Sequence, residues 1–370
     1  MKRIMLVALS CLALGLAATA AADVKPPVRL AIVGLAHDHV RGFLPALAGR
    51  TDVVLVGLVD ADASLRDDIA NRFHLERKLF HATFADLRAA TPFDAVAIFS
   101  STFDHRKIVE ECADAKVAVM MEKPLAVSAT DARAIAAAAQ RSGVPVIVNY
   151  ETTWYPSVHA AFARVAAGDI GETHKIVVHD GHSGPARICS NYFLAWLTDP
   201  VLDGGGALMD FGCYGADLVT VLLGGRRPDA VFAVTQHFQP DVYPKVDDEA
   251  TIVLTYPHAQ AILQASWNWP AGRKDMEIYG AKGSFRLPDG KTAFERDGDA
   301  PEKSLLTPAL VAPETDSISY LAAVARHEIA PSGFSALETN VIVCEILDAA
   351  KESARTGRRI DLSPAHPQSP

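Results

Sequence analysis

The first half of the chain alternates apolar runs with segments of helical spacing, and this alternation restricts the fold more than any other feature. Runs such as VRLAIVG and VVLVGLVDAD are continuous and apolar, as expected of strands buried on both faces of a parallel sheet. Helical segments separate them. The helix in SATDARAIAAAAQRSG has Ser128 and Asp131 at its capped start and Gly143 at its end. Residues 23–150 are therefore predicted to form a doubly wound α/β domain with right-handed crossovers.

After Tyr150 the pattern changes to successive strands without intervening helices. A Gly-rich stretch opens a helix, and the strand-like runs that follow are DAVFAVTQHF, EATIVLTYP, AQAILQASWNW, DMEIYGAKGSFRL and TAFERDG. Residues 151–362 are thus predicted to form an α+β domain whose large, mostly antiparallel sheet leaves one face open for a partner. A helical tail runs from Ser317 to Arg355, and SARTGRRIDL should return to pack against one of the domains. Residues 363–370 are a Pro-rich tail.

The amino terminus has the layout of an exported protein. Lys2 and Arg3 precede the apolar run IMLVALSCLALGLAA, and TAAAD offers a small-residue cleavage site before Asp23. Residues 1–22 are interpreted as a Sec-type signal peptide, which predicts a periplasmic or secreted protein. The apolar run is too short and wrongly flanked to span a membrane.

Composition excludes several classes of partner. Hydrophobic residues make up 49% of the chain and charged residues 21%, as in ordinary globular proteins. The net charge of -9, without long Lys/Arg runs, argues against nucleic acid or an anionic membrane as a partner. The cysteines after the signal peptide are scattered without a C-x-x-C pair, so neither a zinc ribbon nor a disulfide framework is predicted. They are Cys112, Cys189, Cys213 and Cys344.

The turn AIVGLAHDHVRGFL after the first strand resembles a dinucleotide-binding turn with two altered positions. A fingerprint G-x-G-x-x-G would begin at Gly34, but Ala36 and His39 stand at its second and third glycine positions. Asp60 closes the second strand, where an acidic side chain accepts hydrogen bonds from the adenosine ribose and favours NAD over NADP. The alternative for Asp60 is a cap of the following helix. The turn by itself does not decide between a ribose contact and a helix cap for Asp60.

His37 and His39 form an H-x-H pair that raises the question of a metal. Zinc needs three or four converging ligands, and no third ligand is evident nearby in the sequence. His179 and His182 on the other domain could bring a metal across the cleft. The favoured interpretation assigns no metal: His37 donates a hydrogen bond near the pyrophosphate or the substrate, and His39 packs under the turn.

A longer set of motifs resembles the Gfo/Idh/MocA family of oxidoreductases. The segment contains a strand, a loop with His105, a helix and then EKP at Glu122, Lys123 and Pro124. GDIG at 168–171, GGGALMDFGCYGADL and the ending SARTGRRI follow at the family's spacing. The resemblance covers nearly the whole mature chain. It implies an N-terminal Rossmann-type NAD-binding domain and a C-terminal substrate-binding and oligomerisation domain, with a homo-oligomer as the expected assembly.

The resemblance also implies a set of site residues. Lys123 lies near the nicotinamide, Asp210 fixes a sugar hydroxyl, and Tyr214 relays a proton with its pKa lowered by a neighbouring lysine. Independently of the resemblance, aromatic rings that can stack on a sugar and polar groups that can meet its hydroxyls predict substrate contacts at Trp154, Tyr155, His182 and Arg187. The predicted cofactor contacts are Gly34, Leu35, Ala36, His37, Asp60, Ser100, Ser101, His105, Glu122 and Lys123.

Three functions remain open at this point. The first is an exported NAD-dependent oxidoreductase that moves a hydride between a sugar or cyclitol hydroxyl and nicotinamide, with NADP as the less favoured cofactor. The second is a redox-neutral glycosidase or lyase that recycles a tightly bound NAD. The third is a non-catalytic sugar- or partner-binding protein whose nucleotide site is vacant, which the altered turn would favour.

Overall fold

The computed structural model describes residues 25–362, so the predicted signal peptide and the Pro-rich tail lie outside the described residues. Within that range the strands form a six-stranded sheet and a nine-stranded sheet. None of the helices between residues 25 and 362 is long and apolar enough to cross a membrane. The cysteines at 112, 189, 213 and 344 are free thiols, and all but Cys189 are buried.

The first sheet is parallel throughout. Its strands are β1 (Val28–Val33), β2 (Val53–Val59), β3 (Phe80–His81), β4 (Ala95–Ile98), β5 (Ala118–Glu122) and β6 (Val146–Asn149). The helices are α1 (Val40–Ala46), α2 (Ala63–Arg72), α3 (Phe84–Ala90), α4 (His105–Ala115) and α5 (Ala129–Ser142). The strand order β3-β2-β1-β4-β5-β6 reverses direction between β1 and β4, which creates a ligand crevice at their carboxyl ends. The predicted Rossmann-type sheet is confirmed.

The helix α5, which packs on this sheet, begins and ends at the predicted capping residues. The Ser128 side chain accepts a hydrogen bond from the Asp131 amide at the start of α5, and Gly143 ends the helix at φ 72°. Asp62, rather than Asp60, caps α2 with its carboxylate. The short strand β3 and the helix α3 were not predicted, although Thr83 caps α3 and its hydroxyl accepts a hydrogen bond from the Asp86 amide.

The second sheet begins after α6 (Pro156–Ala166). Its strands are β7 (Thr173–Gly181), β8 (Ala230–Gln236), β9 (Glu249–Thr255), β10 (Gln260–Ser266), β11 (Arg273–Gly280), β12 (Gly283–Leu287), β13 (Ala293–Asp297), β14 (Lys303–Leu305) and β15 (Ile360–Asp361). The helices between β7 and β8 are α7 (Pro185–Ile188), α8 (Asn191–Leu197), α9 (Ala207–Asp210) and α10 (Gly212–Leu222). The order is β14-β13-β12-β11-β7-β10-β9-β8-β15, and all neighbours are antiparallel except β7 and β10. The mostly antiparallel sheet is confirmed.

The predicted helical tail consists of two helices that serve different sheets. In α11 (Ser317–Ala325), Ile318 and Leu321 join the apolar cluster of Leu30 and Phe99 on one face of the first sheet. The longer α12 (Leu337–Thr356) packs against α10, β8 and α5. After it the chain returns as predicted, and Ile360 pairs with Val231 at the edge of the second sheet.

Candidate active site

A cavity of about 590 Å³ lies between the carboxyl ends of the first sheet and the second domain. The first domain contributes Asp38 and His39 after β1 and Lys123 after β5. The second domain contributes Asp210, Phe211 and Tyr214, and the start of β11. The cavity thus lies beside the crevice where a ligand of a doubly wound sheet is expected.

Lys123 and Asp210 form a buried ion pair in this cavity. The Lys123 ammonium donates to the Asp210 carboxylate and, at 3.0 Å, to the Asp210 backbone carbonyl. The other carboxylate oxygen of Asp210 accepts a hydrogen bond of 2.9 Å from the indole N–H of Trp267. Lys123 and Asp210 are 5% and 4% exposed, and Trp267 is fully buried. The pair is therefore held in one geometry by a third side chain.

The charges of this pair support each other. Burial lowers the pKa of Lys123, but its acidic neighbours, Asp210 foremost, together reverse the shift, and the net pKa is raised. Burial raises the pKa of Asp210, and Lys123, His182 and Trp267 together reverse that shift to a lowered pKa. Lys123 is consequently an ammonium and Asp210 a carboxylate at neutral pH.

Tyr214 lies between two lysines, and its hydroxyl is harder to ionise than predicted. The Lys123 ammonium is 5.1 Å from the ring centroid and the Lys274 ammonium is 4.4 Å from it. Burial raises the pKa of Tyr214 well above its ordinary value, although Lys274 opposes the shift. The predicted lowering of the Tyr214 pKa is wrong, because burial of the hydroxyl outweighs the attraction of the nearby Lys274 ammonium.

Lys274 and Glu151 form a second ion pair that sequence reasoning missed. The Lys274 ammonium bonds the Glu151 carboxylate, which also accepts a 2.7 Å hydrogen bond from the Tyr155 hydroxyl. Burial lowers the pKa of Lys274, but its acidic neighbours, among them Glu151, together reverse the shift, and the net pKa is raised. Neither residue belongs to a recognisable motif. Lys274 lies on β11 of the second sheet and Glu151 follows β6 of the first sheet, so only packing between the two domains brings them together.

The turn after β1 is folded back on the protein. Asp60 accepts hydrogen bonds of 2.9 Å from the backbone amides of Leu35 and Asp62, so its carboxylate ties the end of β2 to the turn. The His37 amide donates to the Phe99 carbonyl at 3.0 Å. A Cβ built on Gly34, whose φ is +82°, would lie 2.5 Å from the Ser100 amide nitrogen. Only glycine permits this close approach of β1 to β4.

Part of the second domain covers this turn. The Asp38 carboxylate accepts two hydrogen bonds of 2.6 Å from the amide and hydroxyl of Ser190, which caps α8. The Trp196 indole lies 3.4 Å from the Ala36 carbonyl, and the His37 ring packs edge-on against Phe193. Burial, together with nearby positive groups, lowers the pKa of His37 well below its ordinary value, so the imidazole is neutral.

His39 does not pack under the turn, so that prediction is wrong. Its side chain is 47% exposed, and its Nδ1 lies 2.9 Å from the buried Glu122 carboxylate. The other Glu122 oxygen accepts 2.9 Å from the Asn149 amide, whose oxygen accepts 3.0 Å from the Trp154 indole. The imidazole leaves the turn because an ionised carboxylate at the end of β5 lies within its reach.

His37, His39 and Glu122 also form a geometric metal-ligand cluster among the described residues. One ligand atom of each lies within 4.8 Å of the others. His179 and His182 do not join it, since His179 bonds Asp275 at 2.9 Å. His37 Nδ1 accepts the His39 amide at 3.2 Å, and His39 Nδ1 is bonded to Glu122, so an ion would have to displace existing hydrogen bonds.

The structure brings two of the four predicted sugar-binding residues to the cavity. Tyr155 and His182 line it, whereas Trp154 lines an adjoining cavity of about 730 Å³ on the α1 and α11 side. Arg187 is exposed and lines neither cavity. Ser100, Ser101 and His105 follow β4 and are buried.

The residues of the crevice are compatible with the dinucleotide that its fold implies. Asp60 stands at the carboxyl end of β2, and Gly34 allows the tight approach that such a turn requires. Two buried imidazole nitrogens near the crevice, His37 Nε2 and His105 Nε2, have no hydrogen-bond partner among the described residues. Burial lowers the pKa of His105 to about 4, so this imidazole is neutral as well. These features fit NAD, and the predicted cofactor contacts remain predictions.

Comparison with known proteins identifies both domains. A family model described as an oxidoreductase family with an NAD-binding Rossmann fold matches residues 28–150. The model of the GFO/IDH/MocA C-terminal domain matches residues 158–286. Both matches agree with the resemblance seen in the sequence motifs.

Relatives and solved structures extend over most of the chain. The D-apiose dehydrogenase of Rhizobium rhizogenes is 26% identical over 331 residues, which cover 83% of this chain and 90% of that protein. The aldose-aldose oxidoreductase of Caulobacter crescentus, solved with glycerol, has a TM-score of 0.78 at 22% identity and covers 91% of this chain and 100% of that one. An inositol dehydrogenase homologue of Azotobacter vinelandii, solved with NAD+, has a TM-score of 0.79 at 19% identity over 92% and 98% of the two chains. At these identities the two structures show the shared fold.

Proposed function

Because the chain belongs to the Gfo/Idh/MocA family of NAD-binding oxidoreductases, we propose that it is an exported NAD-dependent dehydrogenase of a sugar or cyclitol hydroxyl. The observation that carries the proposal is the buried Lys123–Asp210 pair, oriented by Trp267, in a cavity beside the dinucleotide crevice. When bound, NAD supplies the hydride acceptor at nicotinamide C4.

Lys123 orients the reacting hydroxyl and stabilises the charge that develops on its oxygen. An ammonium has three N–H donors, and two of those on Lys123 are directed at Asp210. The third is available for the substrate oxygen in the cavity. Because the pKa of Lys123 is raised by Asp210, this donor keeps its proton and acts as a fixed positive charge.

The charges of the cavity favour a neutral polyol as substrate. Most charged groups that line it already have a protein partner: Lys123 with Asp210, Lys274 with Glu151, Arg273 with Asp275, and Asp38 with Arg41. An anionic substrate would have to compete with these carboxylates for the same cations. A sugar or cyclitol needs only hydrogen bonds, and relatives named D-apiose dehydrogenase and aldose-aldose oxidoreductase support this class.

Export and assembly are further parts of the proposal. Export rests on the leader-like residues 1–22, and N-terminal sequencing of the secreted or periplasmic protein should begin at Asp23. A homo-oligomer is supported by exposed Phe232 and Val234 on β8, and light scattering coupled to size exclusion measures it.

The first test denatures the purified mature protein and measures released NAD(H) and NADP(H) by mass spectrometry. The same preparation is then assayed at 340 nm for reduction of added NAD+ with D-apiose, D-glucose and myo-inositol. We expect bound or bindable NAD and reduction with at least one polyol. A protein that neither contains nor binds a nicotinamide dinucleotide would exclude the proposed reaction.

A further inference from the structure

The loop that joins β8 to β9, residues 237–248, ends in two adjacent aspartates that hold the surroundings of the buried ion pair in place. Asp247 bonds the Gly-rich segment that leads into Asp210, and Asp248 bonds the backbone of Trp267. Neither aspartate lines the 590 Å³ cavity. The loop thus reaches the ion pair without facing the substrate.

Asp247 accepts hydrogen bonds from three consecutive backbone amides at the start of α9. Its carboxylate oxygens accept from Gly206 at 3.2 Å and from Leu208 at 2.7 Å, and its backbone carbonyl accepts from Ala207 at 2.9 Å. Amides at the start of a helix have no partner within the helix, so one residue satisfies all three. Asp210 is the last residue of α9 and donates its own amide to the Gly206 carbonyl at 3.0 Å. The position of Asp247 therefore sets that of Asp210.

The contact between the two segments requires glycine at position 206. A Cβ built on Gly206 would lie 1.9 Å from the Asp247 carbonyl oxygen, so no side chain fits there. The backbone of the Gly-rich segment thus lies directly against Asp247. Only three residues separate Gly206 from Asp210, and they form a single short helix. A shift at Gly206 is therefore passed on to Asp210 with little chain to absorb it.

Asp248 fixes the second partner of Asp210 and also closes the loop. Its backbone carbonyl accepts a hydrogen bond of 2.9 Å from the amide of Trp267, the residue whose indole bonds the Asp210 carboxylate. The carboxylate of Asp248 accepts backbone amides from the start of the loop, Phe238 at 2.8 Å and Gln239 at 2.6 Å. Asp248 is fully buried. These contacts hold the end of the loop, and with it the neighbouring aspartate, against the Gly-rich segment.

The direction of the Lys123 ammonium depends on where Asp210 lies. Two of the three N–H donors of Lys123 are directed at the carbonyl and the carboxylate of Asp210, so a displacement of Asp210 also turns the third donor. That third donor is the one available for the substrate oxygen. A misplacement of about 1 Å, caused by a change away from the reacting atoms, can lower a rate by about 10²-fold.

We propose that Asp247 is a positioning residue of the reaction, which places Asp210 and through it the third N–H donor of Lys123; this inference rests on the proposed dehydrogenase function. Asp247 acts through the backbone of the Gly-rich segment and not on the substrate itself. The competing explanation is that Asp247 only stabilises the fold as a cap of α9. The two roles differ in one respect: positioning requires the Asp210 carboxylate, whereas capping does not.

The test compares the full mature protein with Asp247→Asn, whose side chain keeps one acceptor oxygen and turns the other acceptor into an NH₂ donor. Asp241→Asn is the matched control, because Asp241 is exposed in the same loop. Oxidation of whichever of D-apiose, D-glucose and myo-inositol reacts is measured at pH 7. We expect Asp247→Asn to lower kcat by about 10-fold to 10²-fold with little change in KM, since the donor acts on the developing charge. Asp241→Asn should keep the wild-type constants.

A double-mutant cycle with Asp210→Asn separates positioning from capping. If Asp247 acts through Asp210, Asp247→Asn should lower kcat by no more than about twofold when Asp210→Asn is already present. An equal loss of kcat in both backgrounds overturns the inference, as does an unchanged kcat in Asp247→Asn. Urea unfolding shows that each variant is folded. Should Asp247→Asn not fold, Asp247→Glu takes its place in the cycle, because it keeps both acceptor oxygens and displaces them by one methylene.

A second readout does not depend on turnover. The ¹⁵N NMR signal of the Lys123 ammonium, assigned by its loss in Lys123→Met, should shift in Asp247→Asn and stay in place in Asp241→Asn. An unshifted signal in Asp247→Asn overturns the inference. An active wild type whose kcat and ammonium signal are both unchanged in Asp247→Asn refutes this inference alone, whereas a wild-type protein that binds no NAD refutes the proposed function and this inference together.

Discussion

The two lysine–carboxylate pairs beside Tyr214 have the same chemistry and different surroundings. Lys123 and Asp210 have side chains that are each 5% exposed, and Trp267 holds the carboxylate. In the second pair the side chains of Lys274 and Glu151 are 18% and 55% exposed. Both ammonium groups lie within about 5 Å of the same aromatic ring centroid.

The difference shows that burial decides what an ion pair does in this cavity. A buried pair cannot lose one partner without leaving an unpaired charge, which costs about 3–5 kcal/mol, whereas an exposed pair contributes about 0–1 kcal/mol. Water can replace Lys274 around Glu151 but cannot replace Lys123 around Asp210. We therefore expect the first pair to control the reaction and the second to adjust substrate binding.

The largest effect is expected for Lys123→Met. Methionine keeps much of the side-chain volume but removes the fixed positive charge and the donor to the substrate oxygen. Loss of one such donor lowers kcat by about 10²–10³-fold. Stopped-flow absorbance at 340 nm measures the hydride step. Lys175→Met on the exposed face of β7 is the control, and a Lys123→Met enzyme with wild-type kcat would refute the role of the buried pair.

Asp210→Asn should convert the fixed charge of Lys123 into a titrating one. In the wild type, burial lowers the pKa of Lys123, and its acidic neighbours, Asp210 foremost, together raise it further than burial lowers it. Without the carboxylate, burial dominates, so the ammonium loses its proton as the pH rises. The oxidation rate should then fall with increasing pH from neutral to 10, where the wild type keeps its activity.

The control for this pH profile is Asp299→Asn, at an exposed position of the loop after β13. A parallel alkaline limb in wild type and Asp210→Asn would show that Asp210 does not set the charge of Lys123. Circular dichroism at each pH separates loss of activity from loss of fold.

The first sheet was predictable because its signals are local. Continuous apolar runs, the Ser128 cap and Gly143 each act within a few residues, and the structure has them as predicted. In the second domain DMEIYGAKGSFRL was read as a single strand-like run, yet it contains the hairpin of β11 and β12. The short edge strands β14 and β15 gave no signal, because two or three residues carry no periodicity.

The residues of the site were predictable only where they belong to a recognisable sequence motif. Lys123 and Asp210 come from EKP and the Gly-rich segment, and the structure joins them. The partners that set their chemistry, such as Trp267 and Glu151, are distant in sequence and meet only through tertiary packing. The exposed position of Arg187 and the rotation of His39 toward Glu122 likewise depend on three-dimensional contacts that spacing does not encode.

Lys274→Met removes the basic partner of the more exposed Lys274–Glu151 pair. The variant removes an ammonium 4.4 Å from the Tyr214 ring and one polar group from the cavity wall. Loss of one hydrogen bond to a substrate hydroxyl is worth about 1 kcal/mol, so we expect KM to rise about five- to tenfold with kcat nearly unchanged. Steady-state kinetics on the polyol that reacts best measures both constants. A loss of kcat as large as that of Lys123→Met would mean that exposure does not separate the two pairs.

The smallest effect is expected for Glu151→Gln. Lys274 and Tyr155 lower the pKa of Glu151 against the effect of burial, so this carboxylate stabilises the fold above its unfolded pKa and loses that contribution as the pH falls through its folded pKa. With the side chain 55% exposed, the loss in free energy of unfolding at pH 7 should be at most about 1 kcal/mol and should shrink in 1 M salt. Urea unfolding at pH 7 and at pH 3, with and without salt, measures it. Asp210→Asn under the same conditions should lose about 3–5 kcal/mol, and equal losses in the two variants would contradict the distinction that burial draws between the pairs.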